Sequence, residues 1–332
     1  MAQLPAFSVT ISQVAEAAGV SRATVSRAFG RPDMLAAGTV AKIRAVAQRL
    51  GYSPNHTARA LSTGRSTNIG LVVPDVANPF FPPLIRAAQE RADEAGYCVF
   101  LGNSDETPKR EDMLLSRIAG QVDGIVLVSS RLPEARIRAV AAVKPLVLVN
   151  RDVAGIPRVL IDTAGGVRAA VRHLAALGHR RLVYVAGPPA SWSNVERKAA
   201  AREAARAAGM EFAVLPTTRP SFEAGRKAAP AIARAGASAV IAFDDLTAQG
   251  VLVGLAELGL ASPGAISVAG CDDVLGAMVM PALTTVSSRC REAGEMAVKI
   301  LFETLGDRGV ADVRYVLDTE LIVRGTTGPA AR

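Results

Sequence analysis

The stretch "TISQVAEAAGVSRATVSRAF", Thr10 to Phe29, decides the N-terminal architecture. Ile11, Val14, Ala15 and Ala18 recur at helical spacing, so a short helix has one apolar face. Thr10 stands where an N-cap belongs, Gln13 can complete a capping box, and Gly19 supplies a left-handed stop. Val20 fills the turn, Ser21 caps a second helix, and Val25 and Phe29 continue the inner face. A third helix is expected over Thr39 to Leu50, where Val40, Ile43, Val46, Ala47 and Leu50 face the same core. Two short helices joined by a glycine turn and backed by a third make a helix-turn-helix head.

Charge is concentrated in that head. Residues 1–68 carry eight Arg or Lys against Glu16 and Asp33, whereas the other 264 carry 30 basic and 28 acidic side chains. A basic head on a nearly neutral body points to a polyanion at one end, although charge alone serves a solvated surface equally well. In a recognition helix the exposed N-terminal residues meet base edges, which here are Arg22, Ala23 and Arg27. Arginine pairs bidentately with guanine O6 and N7, and the Ala23 methyl suits a thymine methyl. Thr24 and Ser26 are directed to phosphates, which set register rather than sequence.

From Asn68 onward apolar strands alternate with amphipathic helices: "IGLVV", "YCVFLGN", "GIVLV", "PLVLVN", then "RLVYVAG", "FAVL", "SAVIAF" and "ISVAG". Such alternation makes parallel sheets with helices on both faces. The pattern restarts near Leu182, so the body holds two similar halves. Ligands of open parallel sheets sit at the carboxyl ends of the strands, and two facing sheets enclose a cleft. The strand-end candidates are Asn78, Phe80, Phe81, Asn150, Arg151, Trp192, Arg197, Phe222, Asp244 and Asp272. Adjacent Phe80 and Phe81, in a chain only 4% aromatic, suit the CH faces of a sugar ring or a base, and core packing equally.

Other chemistries find little support. No apolar run is long enough to span a membrane, and "MAQLPAFSVTISQ" lacks the basic and apolar regions of an export signal, so a cytoplasmic protein is expected. Cys98, Cys271 and Cys290 lack metal or redox spacing and are expected to be small buried thiols. His56, His173 and His179 have no ligand spacing; the last two flank a helix end and are read as helix-terminal or surface groups. Adjacent carboxylates at Asp244/Asp245 and Asp272/Asp273 point apart at strand-to-helix turns, which fits one ligand contact and one structural cap better than acid–base catalysis. No metal, cofactor or catalytic residue is expected, and the chain is not read as an enzyme.

The blocks "TISQVAEAAGVSRATVSRAF" and "LGYSPNHTARAL" together resemble the headpiece and hinge of the lactose-repressor (LacI/GalR) family. One departure is "RPDMLAAGTV", where the family places a Ser or Thr cap before helix three. The resemblance implies a DNA-binding headpiece over 1–53, a hinge helix and linker over 54–67, and a two-lobed body over 68–332. The body resembles the periplasmic sugar-binding proteins, whose chain crosses between lobes three times. Lobe 1 is then about 68–162 plus 287–317, and lobe 2 about 163–286 plus 318–328. By resemblance to ribose-type binding proteins the sugar contacts are Asn78, Phe80, Phe81, Asn150, Arg151, Arg197, Phe222, Asp244 and Asp272. Asn150 stands where that pattern has a carboxylate and Asp244 where it has an amide, so the hydroxyls recognised differ.

What the resemblance implies is a repressor that binds a near-palindromic operator as a homodimer under control of a small-molecule effector, a pentose-like sugar or relative. In the hinge, Asn55 and Arg59 would hold backbone or groove, and Leu61 would act as an apolar wedge in the minor groove. Alone that segment is too short to be stably helical in water. Two alternatives stay open: a sugar-binding protein without DNA regulation, and a purine- or nucleoside-responsive corepressor-type regulator. No leucine-heptad tail follows Thr327, so no tetramerising helix is expected.

Overall fold

The computed structural model describes residues 9–52, 65–306 and 312–331. The chain divides into two compact units, Met1–Ser66 and Thr67–Arg332.

In the first unit, α1 (Ile11–Ala18) begins with a complete capping box: the Thr10 N–H donates to Gln13 Oε1 at 2.8 Å, and the Gln13 N–H donates to Thr10 Oγ1 at 3.4 Å. Gly19, at φ 65°, ends it. Ser21 then caps α2 (Arg22–Gly30) by accepting the Thr24 N–H at 3.1 Å. Each such cap is worth about 1 kcal/mol. The third helix, α3 (Ala37–Leu50), starts two residues before the expected Thr39 and has no side-chain cap, since the Ala36 side chain has no oxygen to offer. Val14, Val25 and Ile43 are wholly buried at the centre of the three helices. Phe29 is only half-buried, because Ala28 takes the inner position; its ring packs on Tyr52 at 5.8 Å.

The second unit holds two six-stranded sheets. Sheet A runs β11 (Arg314–Leu317), β5 (Arg158–Ile161), β4 (Leu146–Val149), β3 (Gly124–Val128), β1 (Asn68–Val73) and β2 (Cys98–Asn103), all parallel. Sheet B runs β12 (Leu321–Ile322), β10 (Thr284–Ser287), β9 (Ser267–Asp272), β8 (Ala239–Ala242), β6 (Arg181–Val185) and β7 (Glu211–Leu215), with β12 alone antiparallel. The chain passes between the sheets after Ile161, after Ser287 and after Leu317.

Side chains alternate across each strand, so both faces need a helical cover. On one face of sheet A, Leu71, Val126 and Val147 pack against α4 (Phe81–Glu94) and α11 (Cys290–Leu305) through Leu84, Ala297 and Leu301. On the other, Ile125, Leu127 and Leu148 meet α5 (Pro108–Ile118) and α6 (Glu134–Ala141) through Leu115, Ile137 and Val140. Sheet B repeats the plan: Tyr184, Ile241 and Ala269 face α7 (Thr163–Ala176) and α8 (Trp192–Ala207), while Val183, Val240 and Val268 face α9 (Phe222–Arg234) and α10 (Asp245–Glu257). The last two helices approach closely at Gly250, where a Cβ would lie 1.8 Å from the Phe222 carbonyl oxygen. No helix among the described residues is long and apolar enough to cross a membrane.

One sequence expectation needs correction, and a second narrows to its helix-terminal alternative. Cys271 and Cys290 are buried, but Cys98 is exposed, because it opens β2, the edge strand of sheet A. His179 is not a surface group: it is 1% exposed, with Nε2 3.0 Å from both the Ser267 hydroxyl and the Gly328 carbonyl oxygen. His173, on α7, reaches Thr327 at 3.0 Å, so the two histidines tether the C-terminal segment to α7 and the turn that follows it. Burial lowers the affinity of both imidazoles for a proton.

Candidate functional site

The head presents its candidate surface on α2. Arg22, Ala23, Ser26 and Arg27 are exposed, and neither arginine is ion-paired to a described residue. Thr24 is half-buried with its hydroxyl 2.8 Å from that of Ser21, so it is engaged in the cap. The hinge candidates Asn55, Arg59 and Leu61 lie outside the described residues.

In the body the carboxyl ends of both sheets converge on a cleft. Seven of the residues expected there line it: Asn78, Phe80, Phe81, Asn150, Arg197, Asp244 and Asp272. Arg151, Trp192 and Phe222 do not. The Arg151 guanidinium reaches back to the Leu132 carbonyl oxygen at 3.1 Å, leaving its buried Nε without a partner. Trp192 and Phe222 are the first residues of α8 and α9, after the capping Ser191 and Ser221. Ser191 and Ser193, on either side of Trp192, face the cleft instead. The sequence reading also missed Glu106, Ser129, Arg131, Pro220 and Phe243.

Several of these side chains are held by unusual backbone. Glu106, Ser129, Asn150 and Asp272 have φ of 57°, 47°, 51° and 122°, a region that non-glycine residues rarely enter. Their clustering at one cleft is the pattern of strain stored at a functional site.

The lobe-2 wall is organised by Arg197, 3% exposed on α8. It donates Nε–H to the Thr163 hydroxyl at 3.0 Å, Nη1–H to the Phe243 carbonyl oxygen, and Nη2–H to Asp272 at 3.2 Å. Its guanidinium also lies 5.0 Å from the Phe243 ring centre. Arg197 therefore already has a carboxylate partner. Burial pushes the Asp272 carboxyl well above the usual range, and Arg197 opposes that shift. Asp244 caps α10 by accepting the Thr247 N–H at 2.8 Å and accepts the Asn78 amide at 2.9 Å. Asp245 and Asp273 turn away, to Thr285 and Arg324.

On the lobe-1 wall Arg131 forms a two-point ion pair with Glu106, at 2.7 and 3.1 Å, and donates to the Ser129 carbonyl oxygen at 2.6 Å. Beneath it, buried Glu111 accepts from the Ser130 hydroxyl and from the Arg131 N–H at 2.9 Å, which fixes the turn after β3. Burial raises the Glu111 carboxyl, against those two hydrogen bonds. Asn150 accepts the Ile161 N–H at 3.1 Å through its carbonyl, and its amide N–H groups bond no described residue. Phe80 and Phe81 stand edge to face at 4.9 Å, serving the lobe-1 core and the cleft wall together. Among the described residues no cluster of His, Cys, Asp and Glu is arranged to hold a metal.

Comparison with known proteins accounts for both units. Residues 10–55 match the family profile described as bacterial regulatory proteins, lacI family, and residues 171–327 match the periplasmic binding protein-like domain. The HTH-type transcriptional regulator DegA of Bacillus subtilis is 31% identical, over 96% of this chain and 98% of that protein. The Lac repressor dimer bound to operator and the anti-inducer ONPF superposes with a TM-score of 0.88 at 27% identity, over 97% of this chain and 100% of that one. A LacI family regulator from Enterococcus faecium with bound ribose has a TM-score of 0.71 at 25% identity, over 80% and 100%.

Proposed function

The chain belongs to the LacI family of bacterial regulatory proteins, which are DNA-binding transcriptional repressors rather than enzymes, and we propose that its operator binding is controlled by a small sugar held in the cleft of the body. The observation that carries this reading is the cleft: polar and aromatic side chains from the strand ends of both sheets converge there, and Phe80, Phe81 and Phe243 supply flat apolar faces beside them. Aromatic faces with a few fixed polar groups are what a sugar ring requires. A nucleobase-responsive regulator is the second reading, supported by the same phenylalanines.

On DNA, a homodimer places one α2 in each half of a near-palindromic operator. Arg22, Ala23 and Arg27 read bases, Ser26 and Thr24 meet phosphates, Asn55 and Arg59 hold backbone or groove, and Leu61 wedges into the minor groove. The exposed Phe100 and Leu101 on β2 support the dimer, since an apolar edge strand calls for a cover. Effector occupancy changes the relation of the lobes and, through the dimer, the fit of the two heads to DNA. This activity belongs in the cytoplasm, with the chromosome. Gel-shift titration on the DNA upstream of the protein's own gene tests the operator, and calorimetry against pentoses, hexoses and nucleosides tests the effector. Heat from nucleosides alone would replace the sugar with the second reading.

A further inference from the structure

Both cations that line the cleft are paired within its walls, and one carboxylate is in excess. Arg131 is paired with Glu106, the two side chains 4% and 9% exposed, and Arg197 with Asp272, 4% and 6% exposed. The remaining carboxylate, Asp244, accepts one N–H on each oxygen. Neither arginine in the lining lacks a carboxylate partner. A phosphate or carboxylate reaching the uncommitted N–H groups of either arginine would share it with a buried carboxylate that already neutralises it, in a lining where three carboxylates face two guanidinium groups. Placing a further negative charge among these desolvated carboxylates is strongly unfavourable.

Hydroxyl groups meet no such obstacle, because each both donates and accepts. Arg131 commits three of its N–H groups, to Glu106 twice and to Ser129, and Arg197 commits three, to Thr163, Phe243 and Asp272. A guanidinium has about five such donors, so each keeps about two in reserve. The Asp272 Oδ2 and the Asn150 amide also have no described partner. We propose that the cleft selects an uncharged polyhydroxylated ring and rejects its phosphorylated or carboxylated counterparts, with the Glu106–Arg131 pair as the specificity determinant on the lobe-1 wall. This inference rests on the reading that the effector is a sugar, and adds its charge class.

The test is calorimetry on the full chain with matched sugars: ribose and ribose 5-phosphate, glucose and glucose 6-phosphate, galactose and galacturonate. The neutral member of whichever pair binds is expected to be favoured by at least about tenfold. Glu106→Gln leaves Arg131 without its carboxylate and is expected to narrow that ratio by at least about tenfold, with a thermal melt to check folding. If the variant does not fold, the wild-type ratio decides alone. Equal or tighter binding of the charged member overturns the charge inference while leaving the sugar reading intact. An unchanged ratio in folded Glu106→Gln removes Glu106 as the determinant. Binding of no sugar in either form overturns the sugar reading, and the inference with it.

Discussion

Asn78 donates its side-chain amide to Asp244 at 2.9 Å, joining residues 166 positions apart that close the cleft from opposite sheets. The same Asn78 carbonyl accepts the Phe80 N–H at 3.0 Å, so the bond also sets the turn that presents the two phenylalanines. Asn78→Ala removes both functions and leaves a buried Asp244 oxygen unpaired, a loss of about 1–3 kcal/mol. The expected result in calorimetry is sugar affinity reduced by about tenfold or more, with operator affinity in the absence of sugar unchanged.

A second link between the lobes is weaker and more exposed. Arg219 bridges Asp75 at 2.9 Å and Asp105 at 2.6 Å, and its side chain is 47% exposed. Exposed ion pairs are worth about 0–1 kcal/mol and are screened by salt. Arg219→Ala is therefore expected to speed sugar release a few-fold in stopped-flow measurements at low ionic strength. The difference from wild type should vanish at high salt; a difference that persists assigns Arg219 a role other than this ion pair.

Asp245 makes the body's stability depend on pH. It is 3% exposed, and burial pushes its carboxyl up to about 7. A carboxyl whose folded-state value lies above the unfolded one contributes stability that is complete below about pH 4 and is lost as pH rises through about 7. Asp245→Asn cannot ionise, so its urea midpoint should gain on wild type between those limits, by about 1.4 kcal/mol per pH unit at most. Parallel pH profiles for the two proteins would contradict this assignment.

Base reading by α2 has its own signature. Replacing Arg22 with Ala should relax preference at one base pair of each half-site, by about 1–3 kcal/mol in gel shifts against single-base operator variants. A uniform loss across all variants would mark Arg22 as a phosphate contact instead.

How much of this was legible depended on whether the signal was local. Thr10, Gln13, Gly19 and Ser21 act within a few residues of themselves, and the capping box, left-handed stop and second cap stand where the sequence places them. The strand-end rule likewise located Asn78, Asn150, Asp244 and Asp272, because a parallel strand delivers its next residues to the crevice. The same rule applied to β2 and β3 would have found Glu106, Ser129 and Arg131, in "SDE" and "SSR" after their strands. Trp192 and Phe222 mislead because each opens a helix, where one step in sequence turns the side chain by about 100°, and Ser191 and Ser193 in the one case and Pro220 in the other line the cleft. His179 was opaque for another reason. Its partners Ser267 and Gly328 are distant in sequence, and no periodicity records such a meeting.

If a sugar in the cleft controls the protein, its occupancy is felt at the operator. Fluorescence anisotropy of labelled upstream DNA, titrated with the full chain at moderate salt with and without the sugar that calorimetry identifies, measures this directly. Specific binding is expected, with an affinity that changes by about fivefold or more when the sugar is saturating. Identical operator curves with and without a sugar shown to be bound would contradict it.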